Sequence, residues 1–301
     1  MLRRAANSFG TANVEPIIRL WLLRILVPLR GCREFLHQHG FHNDALAEVL
    51  GLGHWIDPSS REFDFKAVQS ELRQLHQKAE DQWFGAPQSA LLGHNVGQLS
   101  KLVGLSTNDC KVLEFTVSIH NERLLNDAAD WLGPLSSVKV FHALSVILAL
   151  PESEVRASLS ATGILARSGL VLMARQGSQE LRYKLDLLSE DFADLMASSK
   201  ADPISLLRGT VSAASPAELS LADYNHIQSS LEILCPYLRH AMKTGRRGVN
   251  VFLHGAPGTG KSQLARALAK EMGCELFEVA SEDSDGDPIN GERRLRALRA
   301  A

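Results

Sequence analysis

Residues 255–262 constrain the fold of this chain more than any other stretch. Their sequence is Gly-Ala-Pro-Gly-Thr-Gly-Lys-Ser, preceded by the β-rich run Val249–His254 and followed by Gln263–Met272, which has apolar residues on one face. Glycine permits backbone conformations that other residues avoid. We therefore expect a tight loop that joins a strand to a helix, as in α/β proteins.

The loop matches the pattern G-x-x-x-x-G-K-S of a Walker A motif. In such a loop the backbone N–H groups point inward around an anion, and the helix that follows adds the positive end of its dipole. We expect Lys261 to reach the β- and γ-phosphates of a nucleotide and Ser262 to offer its hydroxyl to Mg²⁺. The predicted nucleotide-binding residues are Gly255, Ala256, Pro257, Gly258, Thr259, Gly260, Lys261, Ser262 and Gln263.

A family resemblance extends this motif. Val251–Met272 resembles the first strand, Walker A loop and first helix of AAA-type P-loop ATPases, and Cys274–Val279 resembles their second strand. Further on, Glu292, Leu295 and Arg296 match a segment that opens a later helix in that family. Helical and winged-helix-like segments ahead of one AAA module are also similar to a group of bacterial AAA proteins.

The resemblance implies ATP and Mg²⁺ as cofactors, ATP hydrolysis, remodelling of a protein partner and assembly of the complete protein into a homo-oligomer. It also implies an adenine contact in the stretch before the first helix of the module, for which Tyr224 and Ile227 are the candidates. A purely structural role for those two residues stays open.

Two features depart from the family pattern. Ser281–Pro288 is acidic and lacks the aromatic residue of a pore loop, which argues against direct threading of a polypeptide. No apolar strand ending in Asp-Glu follows Lys261, and only 40 residues remain after it. We therefore expect the first part of an AAA module that stops before its Walker B strand, with ATP binding but without unaided hydrolysis and with no identifiable catalytic residue.

The fold class that we predict is a mostly α N-terminal region with a winged-helix-like segment, followed by the first part of an α/β P-loop module. Helical spacing at about residues 15–38, 43–50 and 65–83 predicts the helices of the N-terminal region. The predicted units are a helical unit at 1–84, a winged-helix-like domain at 85–200, a linker at 201–220 and a partial AAA module at 221–301.

The winged-helix-like segment is predicted from a helix that Ser106 opens with Asp109 in its first turn, a helix after Pro151, and two strands at Gly169–Met173 and Leu181–Leu185. Such a domain serves either DNA binding or protein contact. Residues 85–200 carry 10 Lys and Arg against 12 Asp and Glu. Because phosphate contacts dominate affinity for DNA, this charge argues against nucleic acid but leaves it open.

Composition limits the remaining partners. The 32 Lys and Arg against 34 Asp and Glu give a formal net charge of −2, which excludes a global attraction to nucleic acid or anionic lipid. The apolar run Ile17–Leu29 contains two arginines and is too short to span a bilayer. We predict a cytoplasmic protein with no membrane contact, although the two arginines near Met1 leave a transit peptide open. The four cysteines, which form no C-x-x-C pair, are predicted to be reduced core residues: Cys32, Cys110, Cys235 and Cys274.

Three weaker patterns favour structural roles. The cluster His37, His39 and His42 suits a solvated helix end better than a metal site, and the acidic stretch Asp283–Asp287 suits a solvated loop better than a calcium site. In the last helix we expect Leu295 and Leu298 to face inward and the four neighbouring arginines to form the polar face, with an anion-binding role left open.

Three functions are thus in competition. The favoured one is an ATP-binding protein of AAA type that, in complete form, couples hydrolysis to remodelling of a partner. The second is a DNA-linked regulator that uses the winged helix with ATP as a switch. The third is a non-enzymatic interaction protein with a remnant P-loop.

Overall fold

The computed structural model describes residues 14–56, 62–86, 89–200, 202–207, 210–246, 248–282 and 286–300. The chain divides into two compact units, Met1–Arg208 with Gly291–Ala301, and Gly209–Asn290. The finer predicted boundaries at 84, 200 and 220 stay predictions. The helices are, in chain order, α1 Pro16–Leu26, α2 Cys32–Phe35, α3 Asp44–Leu50, α4 Phe65–Trp83, α5 Ala90–Val103, α6 Thr107–Asn121, α7 Arg123–Asp130, α8 Ser137–Leu148, α9 Glu152–Ser158, α10 Ile164–Arg167, α11 Leu181–Lys184, α12 Glu190–Ser198, α13 Pro203–Leu206, α14 Gln228–Lys243, α15 Lys261–Met272 and α16 Gly291–Ala300. The strands are β1 Leu36–His37, β2 Gly40–Phe41, β3 Val171–Met173, β4 Leu185–Leu187, β5 Val211–Ala213 and β6 Phe277–Val279, and 3-10 helices lie at Gly53–Trp55 and Leu221–Ile227.

The core of the first unit is built around α1, which is apolar on nearly all sides and therefore buried. Trp21 on α1 packs edge-on against Phe115 on α6, with ring centroids 5.1 Å apart. Arg24 is buried in the same helix, and its guanidinium makes two hydrogen bonds of 2.7 Å to the Glu80 carboxylate. A third, of 2.6 Å, reaches the carbonyl of Ile147, so every side of this buried charge has a partner.

The predicted start of α6 is confirmed. The Ser106 side chain accepts from the backbone N–H of Asp109, and the Asp109 carboxylate accepts from the backbone N–H of Ser106, which forms a reciprocal capping box. The helix is then fully buried along Val112, Phe115 and Ile119. Local sequence alone therefore defined this core helix.

The predicted two-stranded ribbon exists, but its second strand lies later than expected. β3 pairs antiparallel with β4 in the register Val171 to Leu187, and residues 181–184 form the short helix α11 instead of a strand. The helical turn carries Lys184 into the core, where its ammonium donates to the carbonyls of Ala174, Gln176 and Gly177 at 2.7–3.2 Å. The three hydrogen bonds of Lys184 thus accompany a helical turn at residues 181–184, where a strand was predicted. The winged-helix assignment itself stays a prediction.

The expected orientation of α16 is wrong. Leu295 and Leu298 are 50% and 61% exposed, whereas Arg296 is only 7% exposed. The Arg296 guanidinium donates to the carbonyl of Gly169 at 2.6 Å, to the carbonyl of Asp186 at 2.6 Å and to the Asp186 carboxylate at 2.5 Å. The hydrogen bonds that Arg296 makes with Gly169 and Asp186 thus turn this side of α16 inward, and the two leucines remain exposed.

In the second unit, β5 pairs antiparallel with β6 in the register Val211 to Val279. The segment 201–220, predicted as a linker, therefore contains part of a sheet as well as α13. All four cysteines are free, but only Cys235 is buried, and Cys274 is exposed. Within the described ranges, none of the helices has the length and apolarity that crossing a membrane requires.

Candidate phosphate-binding site

Three glycines shape the loop that precedes α15. Gly255, Gly258 and Gly260 have φ angles of 148°, 80° and 79°, which lie in the region that favours glycine. Gly260 is the left-handed N-cap of α15, so the chain enters the helix directly from the loop. The glycine positions of the predicted motif therefore correspond to the positions where the backbone needs them.

Lys261 lies inside the curve of this loop. Its Nζ donates to the carbonyl oxygens of Gly255 at 3.1 Å and Ala256 at 2.8 Å. The Thr259 hydroxyl donates to the same Ala256 carbonyl at 2.8 Å. The Lys261 ammonium thus lies near the N-terminus of the 12-residue helix α15, where the helix dipole also favours an anion.

Tyr224 contacts the end of the loop at Gly260. Its hydroxyl donates to the carbonyl of Gly260 at 2.9 Å, and its ring is 4% exposed in the hydrophobic cluster of this unit. Burial raises the pKa of the Tyr224 hydroxyl, which therefore stays protonated and able to donate. A Cβ at position 260 would lie 3.2 Å from the Tyr224 oxygen, so a larger residue there would strain the backbone and also press against Tyr224.

The family resemblance predicted that Tyr224 and Ile227 contact the adenine of a bound nucleotide. In the structure the Tyr224 hydroxyl contacts Gly260 of the loop 255–260, and Ile227 packs, partly buried, against the hydrophobic cluster. An adenine contact for either residue stays a prediction. The loop contact of Tyr224 had no signal in the sequence beyond a tyrosine among apolar residues.

Helix packing holds α15 in place. Leu264 and Leu268 on α15 share a cluster with Leu231 and Cys235 on α14. On the other side, Arg266 makes a paired contact of 2.9 and 3.1 Å with the Glu278 carboxylate on β6. Sequence analysis missed this ion pair, which engages the carboxylate of the only strand that follows the loop among the described residues.

The hydroxyl and amide after Lys261 differ in their surroundings. Ser262 is exposed at the second position of α15, next to the loop. The Gln263 side chain instead accepts a hydrogen bond of 3.0 Å from the backbone N–H of Glu218. Ser262 thus presents an exposed hydroxyl beside the loop, while Gln263 ties the preceding chain to the helix.

The strand expected at Val249–His254 is wrong. Over the described residues of that run the chain forms no strand, and no described strand pairs with it. Phe252 is 86% exposed, whereas Leu253 packs against the cluster around Tyr224. A strand needs hydrogen-bonded neighbours, which a local β-rich pattern does not supply.

No metal centre emerges elsewhere in the described ranges, where no group of three or more His, Cys, Asp or Glu side chains could hold an ion. His37 and His42 pack edge-on at 5.1 Å between ring centroids, and each bonds to a backbone carbonyl. Most of the acidic stretch weighed for calcium, residues 283–285, lies outside the described residues.

Comparison with known proteins identifies this part of the chain. The model of the family "ATPase family associated with various cellular activities (AAA)" matches residues 251–299. Residues 251–299 thus resemble the AAA family of ATPases. The match covers the loop, α15, β6 and most of α16.

Individual relatives agree with the family. The chain is 35% identical over 89 residues to the mouse ATPase family gene 2 protein homolog B, covering 28% of this chain and 12% of that protein. Similarity to the ATP-dependent zinc metalloprotease FtsH 2 of Symbiobacterium thermophilum is 33% over 90 residues, covering 27% and 15%. For FtsH 1 of Alkaliphilus metalliredigens it is 44% over 54 residues, covering 17% and 9%. The chain thus spans less than a sixth of each of these relatives, and no solved structure gives a significant match.

Proposed function

We propose that this chain binds ATP with Mg²⁺ at the loop 255–260 and the N-terminus of α15. The observation that carries the proposal is the Lys261 ammonium, which the carbonyls of Gly255 and Ala256 hold inside the loop. Phosphate oxygens carry negative charge and form stronger hydrogen bonds with an ammonium than neutral carbonyls do. When a triphosphate binds, the Lys261 ammonium would therefore donate to phosphate oxygens in place of the two carbonyls.

The donor set fits both groups. Backbone N–H groups of the loop would hold the β- and γ-phosphates, Lys261 would neutralise their charge, and Ser262 would offer Mg²⁺ an oxygen ligand. When bound, ATP with Mg²⁺ supplies a terminal phosphoryl group that water can accept. The Tyr224 bond to Gly260 keeps the loop in position for these contacts.

Hydrolysis belongs, in our proposal, to the complete AAA module. Glu278 is the carboxylate that follows the loop on a described strand, and Arg266 engages both of its oxygens. Both oxygens of this carboxylate are therefore engaged, and we assign Glu278 no role as a base. In the complete protein we propose that hydrolysis drives remodelling of a protein partner, that the module acts as a homo-oligomer, and that the first unit recognises the partner.

The DNA-linked alternative has less support. The helix that would enter a groove, α9, begins with Glu152 and contains Glu154. The one cation of that helix, Arg156, donates to the Glu152 carboxylate at 2.8 Å. A gel-shift titration of labelled duplex DNA at low salt would favour this alternative if the chain bound in a salt-dependent manner.

Nucleotide titration tests the proposal. Isothermal calorimetry with ATP and Mg²⁺ should give saturable binding by the full chain, which Lys261→Ala weakens. Lys270→Ala, in the last turn of the same helix, is the matched control and should bind as the parent does. Failure of the parent chain to bind ATP would favour the third function, an interaction protein with a remnant P-loop.

A further inference from the structure

A small cavity of the first unit lies between the end of α1, the short helix α2 and the middle of α4. Its volume is about 230 Å³. Three arginines line it, Arg30 before α2, Arg33 on α2 and Arg73 on α4, together with Gln69 and Cys32. Two apolar side chains complete the lining.

The charge of this cavity is of one sign. Among its described lining residues the charged groups are all arginines, and none of the three forms an ion pair with a described residue. Arg24, Arg266 and Arg296, by contrast, each engage a carboxylate. All three arginines are solvent-exposed, so water screens their mutual repulsion and an anion from solution can reach all three guanidinium groups. Guanidinium groups match the geometry of phosphoryl and carboxyl oxygens.

The backbone at Arg30 supports a purpose beyond packing. Arg30 has a φ of 64°, one of two non-glycine residues with positive φ in the described chain. The turn after α1 closes with a bond of 3.0 Å from the Gly31 N–H to the Ile25 carbonyl, the pattern in which glycine normally takes the left-handed position. Here glycine stands one residue later, and an arginine holds the unfavourable conformation. Local rules are broken in this way mainly at functional sites.

The Cys32 thiol does not supply a negative charge to balance the three arginines. Burial raises the pKa of Cys32, against the opposing effect of Arg33 and Arg73, so the thiol stays neutral near pH 7. Gln69 adds an amide that can donate to an anion without charge. The cavity thus holds three cationic donors, one neutral donor and no described anion.

We propose that this cavity binds a small phosphoryl oxyanion. Its volume falls below the range of about 300–1,000 Å³ that drug-sized ligands occupy. Two sources share the chemistry: free inorganic phosphate or pyrophosphate, and the phosphoryl group of a small organic phosphate. The residues of this site lie between Val27 and Arg73 of the chain, so the proposal does not depend on ATP binding at the loop 255–260.

Calorimetry on the full chain tests the site. Lys261→Ala is introduced first, so that the phosphate-binding loop contributes little, and inorganic phosphate, pyrophosphate and phosphoserine are titrated at 0.15 M salt. Arg73→Gln should weaken binding of the preferred probe at least tenfold, whereas Arg123→Gln, which makes the same charge change on α7, should leave it unchanged. Preference for phosphoserine assigns an organic phosphate, and preference for an inorganic probe assigns the free ion.

Arg30→Gly separates binding from folding. Glycine relieves the left-handed backbone, so the midpoint of thermal unfolding should stay equal or rise while affinity falls at least tenfold. If Lys261→Ala folds poorly, Arg73→Gln and Arg123→Gln are compared in the otherwise unmodified chain, where the loop contributes equally to both. Absence of binding to all three probes, or affinity unchanged in Arg30→Gly and Arg73→Gln, would overturn the proposal. ATP binding by the unmodified chain is measured separately and is unaffected by that result.

Discussion

Replacing Glu114 with glutamine should stabilise the protein in a strongly pH-dependent manner. Glu114 lies on α6 and lines a cavity of about 530 Å³ together with Trp21 and Leu148. Burial raises the pKa of its carboxyl to about 7, and the ammonium of Lys111 offsets only part of that effect. The ionised carboxylate is therefore poorly accommodated in the folded state.

The size of the effect follows from the two pKa values. The ordinary value is 4.5 and the folded value about 7, a difference of about 2.5, which corresponds to about 3 kcal/mol at 1.36 kcal/mol for each tenfold change. Between these values the folded state binds more protons than the unfolded state, so the free energy of unfolding falls as pH rises from 4.5 to 7 and stays low above that. Glutamine cannot ionise and should avoid the loss. We expect Glu114→Gln to gain about 2–3 kcal/mol over the wild type at pH 8 and less than about 1 kcal/mol at pH 5.

Urea denaturation at pH 5 and pH 8 measures this difference. The matched control is Glu48→Gln, because Glu48 is exposed on α3 and its replacement should have a small effect at both pH values. An equal change in the free energy of unfolding at pH 5 and pH 8 for Glu114→Gln would refute the reasoning.

Three further substitutions test particular contacts. Lys184→Met leaves the carbonyls of Ala174, Gln176 and Gly177 without the ammonium that donates to them and should lower the free energy of unfolding by about 1.5–3 kcal/mol in urea denaturation; an effect below about 0.5 kcal/mol would contradict a stabilising role for this ammonium. Arg296→Met removes the hydrogen bonds that hold α16 and should speed amide hydrogen exchange in that helix, while unchanged exchange would show that the helix is held otherwise. Gly260→Ala should cost about 1–2 kcal/mol for its left-handed backbone and also weaken ATP binding, because the methyl group approaches Tyr224. Gly51→Ala, left-handed with open space around it, should share the cost in stability and leave ATP binding intact.

Local signals in the sequence predicted what local physics determines. The capping box at Ser106 and Asp109 marked the start of α6, and the amphipathic run that ends at Met272 marked the end of α15. The loop 255–260 was predicted because its backbone adopts positive φ angles at three positions, and glycine occupies all three. None of these features depends on a distant part of the chain.

Non-local contacts explain the failures. The inward face of α16 depends on carbonyls of a hairpin more than 100 residues away, which the spacing of Leu295 and Leu298 does not reveal. The run 249–254 has β propensity but lacks a described pairing strand. Within the candidate site, the bond from Tyr224 to Gly260 spans 36 residues and had no counterpart in the motif.

ATP binding by the full chain, with and without Lys261→Ala, tests the central claim most directly. Charge-assisted hydrogen bonds contribute about 1.5–3 kcal/mol, so loss of the ammonium should weaken ATP binding in the presence of Mg²⁺ by about 10- to 100-fold. The variant should keep the circular dichroism spectrum of the parent, and Lys270→Ala should bind as the parent does. Equal affinity of Lys261→Ala and the parent, or no binding by the parent, would contradict the account.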